Sequence, residues 1–150
     1  MKFHDCIGLV LKHKPENKIL YIGPEETVYS ALALMAKYDV GALLVLSGRR
    51  LVGILSERDY ARKVSLMGHT TRETQVHEIM TTPVTSVSPQ HTVDECLTLM
   101  TQHHFRHLPV VERGEVVGLV SIGDLVKWVI SGQEQAIQEL ESYITGTYPA

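Results

Sequence analysis

The sequence holds no apolar run near the ~20 residues needed to span a bilayer, so no membrane-spanning role is expected. Near the amino terminus, Lys2 is followed after Phe3 by His4 and Asp5. The run Ile7-Gly8-Leu9-Val10-Leu11 is too short for a signal-peptide core and has no small-residue cleavage site after it. Cysteine is scarce. Cys6 and Cys96 are far apart and neither belongs to a C-x-x-C pair, which argues against a disulfide framework and for a reducing, cytoplasmic setting. Excess positive charge is also missing: the net charge is −3, so nothing draws the whole chain to nucleic acid or to an anionic membrane.

Catalytic signatures are absent as well. There is no G-x-S-x-G elbow, no phosphate-binding P-loop and no G-x-G-x-x-G string, so neither a serine hydrolase nor a Rossmann-type NAD enzyme is supported. A non-enzymatic protein is expected. Eight histidines include the close set His103, His104 and His107, but no carboxylate or cysteine stands at a ligand spacing from them, and no metal site is expected. His103 and His104 end a helical stretch, where polar or cationic side chains suit the dipole.

What is present is a repeat. Residues 22–64 align with 87–129 without a gap. Identities include Pro24/Pro89, Thr27/Thr92, Leu32/Leu97, Met35/Met100, Gly53/Gly118, Ser56/Ser121 and Asp59/Asp124. Each copy begins with an extended piece ending at Pro24 or Pro89. A helix follows, with Thr27 or Thr92 at the N-cap. Its apolar face is Val28, Ala31, Leu32 and Met35 in one copy, and Val93, Cys96, Leu97 and Met100 in the other. Next come two strands joined by a Gly-containing turn, which read as a hairpin. A second helix starts at Glu57 or Ile122. The fold class is therefore α+β, with two β-α-β-β-α repeats.

One copy of about 45 residues is marginal as an independent core, so two copies packed as a pseudo-two-fold pair are expected. The organisation reads as residues 1–68 for the first repeat with its N-terminal segment and 75–132 for the second. Gly68–Thr74 is a polar connector. Residues 133–150 form a helical tail with Ile137, Leu140 and Ile144 on one face, a docking or dimer helix. Trp128 is expected in the core.

The repeat also duplicates a site. Gly53-Ile54-Leu55-Ser56-Glu57-Arg58-Asp59 and Gly118-Leu119-Val120-Ser121-Ile122-Gly123-Asp124 each sit where a strand hands over to a helix. Free N–H groups and partial positive charge at a helix start suit phosphate. The Ser hydroxyl can donate to a phosphate oxygen, and the Asp can accept from the two hydroxyls of a ribose. Ser-x-x-Asp is equally a near-capping box whose side chains only satisfy backbone groups. Both readings are open on spacing alone. Arg58 and Arg62 add phosphate-binding charge beside Asp59. The second copy has Gly123 in place of Arg58, and offers Arg106, His107 and Lys127 instead. Two unequal sites are expected.

These strings, with Leu108-Pro109-Val110-Val111 and Ile79-Met80-Thr81-Thr82-Pro83, closely resemble tandem CBS-domain proteins (Bateman modules), in particular small stand-alone pairs. The resemblance runs from Ile7 to about Ile130. It implies regulatory binding of AMP, ATP, NAD or S-adenosylmethionine in clefts between the copies. One site would combine Ser56, Arg58 and Asp59 with Met80, Thr85 and the His107-Leu108 strand start. The other would combine Ser121 and Asp124 with Lys18, Leu20 and Gly41-Ala42. The arginines favour phosphate-bearing AMP, ATP or NAD. The resemblance further implies a homodimer and, with no companion domain in the sequence, regulation of a separate protein. Leu44 stands where the family usually has proline, as at Pro109, which would leave the backbone there less fixed.

Overall fold

The computed structural model describes residues 2–14 and 19–145. The chain is mixed α+β and contains the two repeats in sequence order. By their contacts the residues fall into two units. The first holds Lys18–Ser86 with Val111–Gly118, and the second holds Met1–Asn17, Val87–Val110 and Leu119–Ala150.

In the first unit, β1 (Tyr21–Ile22), β2 (Ala42–Ser47) and β3 (Arg50–Ser56) form a sheet in that order. β1 runs parallel to β2, and β2 antiparallel to β3, with Ala42 opposite Ser56 and Ser47 opposite Arg50. As the central strand, β2 is buried on both faces from Ala42 to Val45, which is why it reads as an unbroken apolar run. Helix α2 (Val28–Tyr38) starts at Thr27, whose hydroxyl accepts from the Ser30 N–H at 3.1 Å. It packs Val28, Ala31 and Met35 into a core with Ile22, Leu43, Val45, Leu55 and Val64. Asp39 ends it in the left-handed region at φ 52°. The polar connector covers the start of α2: the carbonyls of Thr74 and Thr71 accept from the N–H groups of Val28 and Tyr29. These are first-turn donors that have no partner within the helix.

The second helix of this repeat is one α turn, α3 (Glu57–Asp59), continued as a π-helix over Tyr60–Ser65. The wider bonding persists in the Leu66 N–H to Ala61 carbonyl and His69 N–H to Val64 carbonyl bonds. Short α4 (Val76–Ile79) follows the connector.

In the second unit, a 3₁₀ turn (Lys2–His4) and α1 (Ile7–His13) precede α5 (Val93–His103). Strands β4 (His107–Glu112) and β5 (Glu115–Ser121) form the second hairpin, whose tip Val111–Gly118 is counted with the first unit, and α6 (Ile122–Thr145) follows. Thr92 caps α5 in a full capping box with Glu95. The first strand expected in this repeat is reduced to one parallel bridge, Val87 to Val110. Leu44 and Pro109 explain the difference. The Leu44 N–H donates to the Leu20 carbonyl at 3.3 Å and adds a rung between β1 and β2. Pro109 has no N–H and can only accept, which it does from Val87 at 3.0 Å. Leu44 is thus fully buried and tied into the sheet, against the expectation of a less fixed backbone.

Three further sequence-based expectations change. The N-terminal segment, grouped in sequence with the first repeat, belongs by its contacts to the second unit. The N–H groups of Ile7 and Gly8 donate to the carbonyls of His91 and Pro89 at 2.8 and 3.0 Å, and Ile7, Val10 and Leu11 are buried. A Cβ at Gly8 would stand 3.3 Å from Pro89 Cβ, so the approach suits glycine. Trp128 is only half-buried and is held by that same segment rather than by a core. Its Nε1 donates to Asp5 Oδ2 at 3.0 Å, His13 meets the ring edge-on, and the Lys2 ammonium lies 4.4 Å from its centroid. The tail does not start a separate helix, because α6 runs unbroken from Ile122 to Thr145. The face expected of Ile137, Leu140 and Ile144 lies outside the described side chains.

Candidate functional site

The site residues gather at the two strand-to-helix junctions. In the first unit, Ser56 ends β3 in an extended conformation and Asp59 lies one turn on. The Ser56 hydroxyl accepts from the Asp59 N–H at 3.2 Å. Asp59 Oδ2 accepts from the Ser56 N–H at 3.0 Å and from its hydroxyl at 3.1 Å. The other oxygen, Oδ1, accepts from the Thr81 hydroxyl at 3.1 Å and lies 3.2 Å from the Lys63 ammonium. Lys63 also donates to the Ile79 carbonyl. Thr81 is delivered by a two-bond antiparallel bridge with Ile54. Met80, the preceding residue, lies over Gly53: a Cβ there would overlap Met80 Sδ and come within 2.9 Å of its Cγ.

Gly41 and Ala42 sit at the same junction. The Glu57 N–H donates to the Gly41 carbonyl at 3.1 Å, and Ala42 pairs with Ser56. Arg58 and Arg62 are exposed and make no ion pair among the described residues. Thr85 is half-buried in the segment after Thr81, and half-buried Leu20 offers its carbonyl to Leu44. Lys18 lies outside the described residues.

The second unit repeats this geometry with a different cation. The Ser121 N–H donates to Asp124 Oδ2 at 2.8 Å, and the Asp124 N–H donates to the Ser121 hydroxyl at 3.1 Å. The ammonium of Lys14, from the N-terminal segment, lies 3.0 Å from Asp124 Oδ2 and donates to the Leu119 carbonyl at 2.9 Å. Burial works against the Asp124 charge, but the Ser121 N–H and Lys14 outweigh it and hold the carboxyl below its usual range. The Ile122 N–H donates to the Arg106 carbonyl at 2.9 Å, the counterpart of Glu57 and Gly41. His107 is half-buried beside these charges. Burial lowers its pKa, opposed by Asp124 and reinforced by Lys14 and Arg106. Leu108 is fully buried in β4, and the side chains of Arg106 and Lys127 are exposed.

The resemblance groups Gly41-Ala42 with Ser121 and Asp124, and His107-Leu108 with Ser56 and Asp59. Inside each unit the structure adds the same-repeat association: Gly41-Ala42 beside Ser56, and Arg106-His107 beside Asp124. Three participants escaped the sequence reading. Lys63 was findable, since it stands four residues after Asp59 on a helical stretch. Thr81 and Lys14 reach their carboxylates only through tertiary contacts. Chemically, each junction offers a carboxylate acceptor, an ammonium group and a strand-start carbonyl. Among the described residues no group of three or more His, Cys, Asp or Glu side chains could hold a metal ion.

Duplicated strand-to-helix junctions of this form define a tandem-repeat module, and the comparisons identify its family. The CBS-domain family model matches residues 12–66 and again 76–131, and the chain belongs to that family. It is 37% identical over 134 residues to the mitochondrial CBS domain-containing protein CBSX3 of Arabidopsis thaliana, covering 86% of this chain and 65% of that protein. It is 33% identical over 115 residues to the CBS domain-containing protein YhcV of Bacillus subtilis, covering 77% of this chain and 81% of the relative. Among solved structures, a candidate signal-transduction protein with CBS domains from Burkholderia ambifaria MC40-6 superposes with a TM-score of 0.83. The two share 48% identity, over 85% of this chain and 96% of that one.

Proposed function

We propose that this chain is a non-catalytic regulatory module that binds an adenine nucleotide (AMP, ATP or NAD) and signals through conformation to a separate protein. One observation carries the reading. At both junctions the Ser-x-x-Asp carboxylate stands beside an ammonium group, Lys63 at 3.2 Å or Lys14 at 3.0 Å. A ribose diol and a phosphate need that pair of chemistries side by side. The first junction would use Ser56, Asp59, Gly41 and Ala42, with Met80 and Thr85 along the adjoining segment and Arg58 and Arg62 free to meet phosphate oxygens. The second would use Ser121, Asp124, Arg106, His107 and Leu108. Family membership and the signal-transduction description of the Burkholderia neighbour support a regulatory role. Both cysteines are free thiols, which agrees with a reducing, cytoplasmic compartment.

The test is a thermal-stability titration with AMP, ATP and NAD. A ligand at about 100 times its Kd adds roughly 2.7 kcal/mol. Saturable stabilisation by at least one of the three is expected, and no response to any of them overturns the proposal. The second reading is a structural interaction module. It is favoured by the reciprocal Ser–Asp hydrogen bonds, which satisfy the helix starts without any ligand. We further infer a homodimer. Ile122, Val126 and Ile130 are spaced by four along α6 and are 41–47% exposed, an apolar stripe suited to a second copy. Sedimentation velocity giving only monomer at micromolar concentration would refute it.

A further inference from the structure

The first unit carries a second concavity, at the opposite end of its hairpin from Ser56. Six strand steps separate Arg50 from Ser56, which places the two about 20 Å apart. The cavity measures about 650 Å³, within the range of small-molecule sites. Val52 and Val84 contribute apolar wall. Arg49 and Arg50 contribute two guanidinium groups, and Thr82 and Ser86 two hydroxyls. No carboxylate lines it, and among the described residues neither arginine makes an ion pair. The lining is therefore a cluster of donors without its own acceptor.

We propose that this cavity is a binding site for a small organic phosphate monoester. Each planar guanidinium can meet two oxygens of a tetrahedral phosphate through parallel N–H bonds, and the hydroxyls supply further donors. The apolar wall takes the body of the molecule.

The site can be tested by titrating the ¹⁵N-labelled full-length protein with phenyl phosphate. Inorganic phosphate and phenol serve as separate arms. Saturable shifts of the Arg49 and Arg50 Nε–H signals and of the Val52 and Ser86 amides are expected with phenyl phosphate by about 1 mM. Weaker shifts of the same signals are expected with inorganic phosphate, and none with phenol. The double variant Arg49→Gln/Arg50→Gln should weaken binding roughly tenfold or more. Arg49→Lys keeps the charge but loses the fork, and should fall between. Both arginine side chains are exposed, so folding is checked by an unchanged melting temperature. Absence of saturable shifts at the arginines, equal binding by the double variant, or equal shifts with phenol would each overturn the proposal. The AMP response at the Ser-x-x-Asp junctions is read in the same spectra through other residues, so the two proposals fail independently.

Discussion

Replacing Asp59 by alanine separates the two readings of the junction. Without nucleotide, the variant loses the bonds from the Ser56 N–H and hydroxyl to the Asp59 carboxylate, a loss of about 1 kcal/mol, and keeps the bond from the backbone N–H of residue 59 to the Ser56 hydroxyl. It also strands the Thr81 hydroxyl, whose bond to a charged acceptor adds on the order of 1 kcal/mol. Lys63 is 42% exposed and can turn to solvent, so its ion pair adds little. The ligand-free cost is therefore roughly 2 kcal/mol, which lowers Tm by about 4–8 °C for a domain of this size. With AMP at about 100 times its Kd, the wild type gains roughly 2.7 kcal/mol per occupied site. The variant forgoes the gain at Asp59 whether or not Asp124 still binds, so the gap should widen from about 2 to nearly 5 kcal/mol. Differential scanning calorimetry of both proteins, with and without AMP, reads this directly. A gap that stays the same when AMP stabilises the wild type would refute a ligand role for Asp59 and leave it a cap. Asp59→Asn sharpens the result, because its amide oxygen can still accept from the Ser56 N–H but carries no charge. It should keep most of the ligand-free stability.

Lys14→Met should cost about 1–3 kcal/mol by urea unfolding, since it removes a charged donor from both Asp124 and the Leu119 carbonyl; a change below a few tenths would show the contact to be incidental. Asp124 has its pKa lowered by folding, so its stabilisation is complete above the ordinary carboxylate range and is lost as pH falls through the lower folded value. The urea midpoint should drop on acidification below about pH 4, and less steeply in Lys14→Met. His107 is also lowered, so the folded state resists its protonation: stability is full above pH ~6.5 and declines below it, and an NMR titration midpoint at or above 6.5 would contradict this. Burial, with Glu95 nearby, pushes the Cys96 thiol up to about 12, so a thiol reagent should label exposed Cys6 in the native protein and reach Cys96 only on unfolding. Gly53→Val should destabilise by about 1–3 kcal/mol, because its side chain would occupy the space of Met80.

Much of the local structure was legible in the residues. Thr27 and Thr92 cap their helices, and Val28, Ala31 and Met35 match Val93, Cys96 and Met100 as buried faces. These features depend on neighbours within one or two turns, and the gapless repeat states each of them twice. The hairpins follow for the same reason. The Ser-x-x-Asp strings were also visible, and so was their ambiguity: capping and ligand binding use the same two side chains, so spacing could not choose between them.

Tertiary structure decided what surrounds those strings. Periodicity in the first 14 residues does not say which repeat they join; that depends on hydrogen bonds from Ile7 and Gly8 to His91 and Pro89. Pro109 was readable as a missing donor, but its effect on β-pairing appears only against the Leu44 rung it lacks. The cation at Asp59 is a local neighbour four residues away, whereas the cation at Asp124 comes from Lys14, whose bond to Leu119 closes a separation of 105 positions. Sequence pattern specifies which side chains can face one way along a single element. Which distant charge meets them is set by how the chain closes on itself, and here that closure gives two matching Ser–Asp junctions different partners.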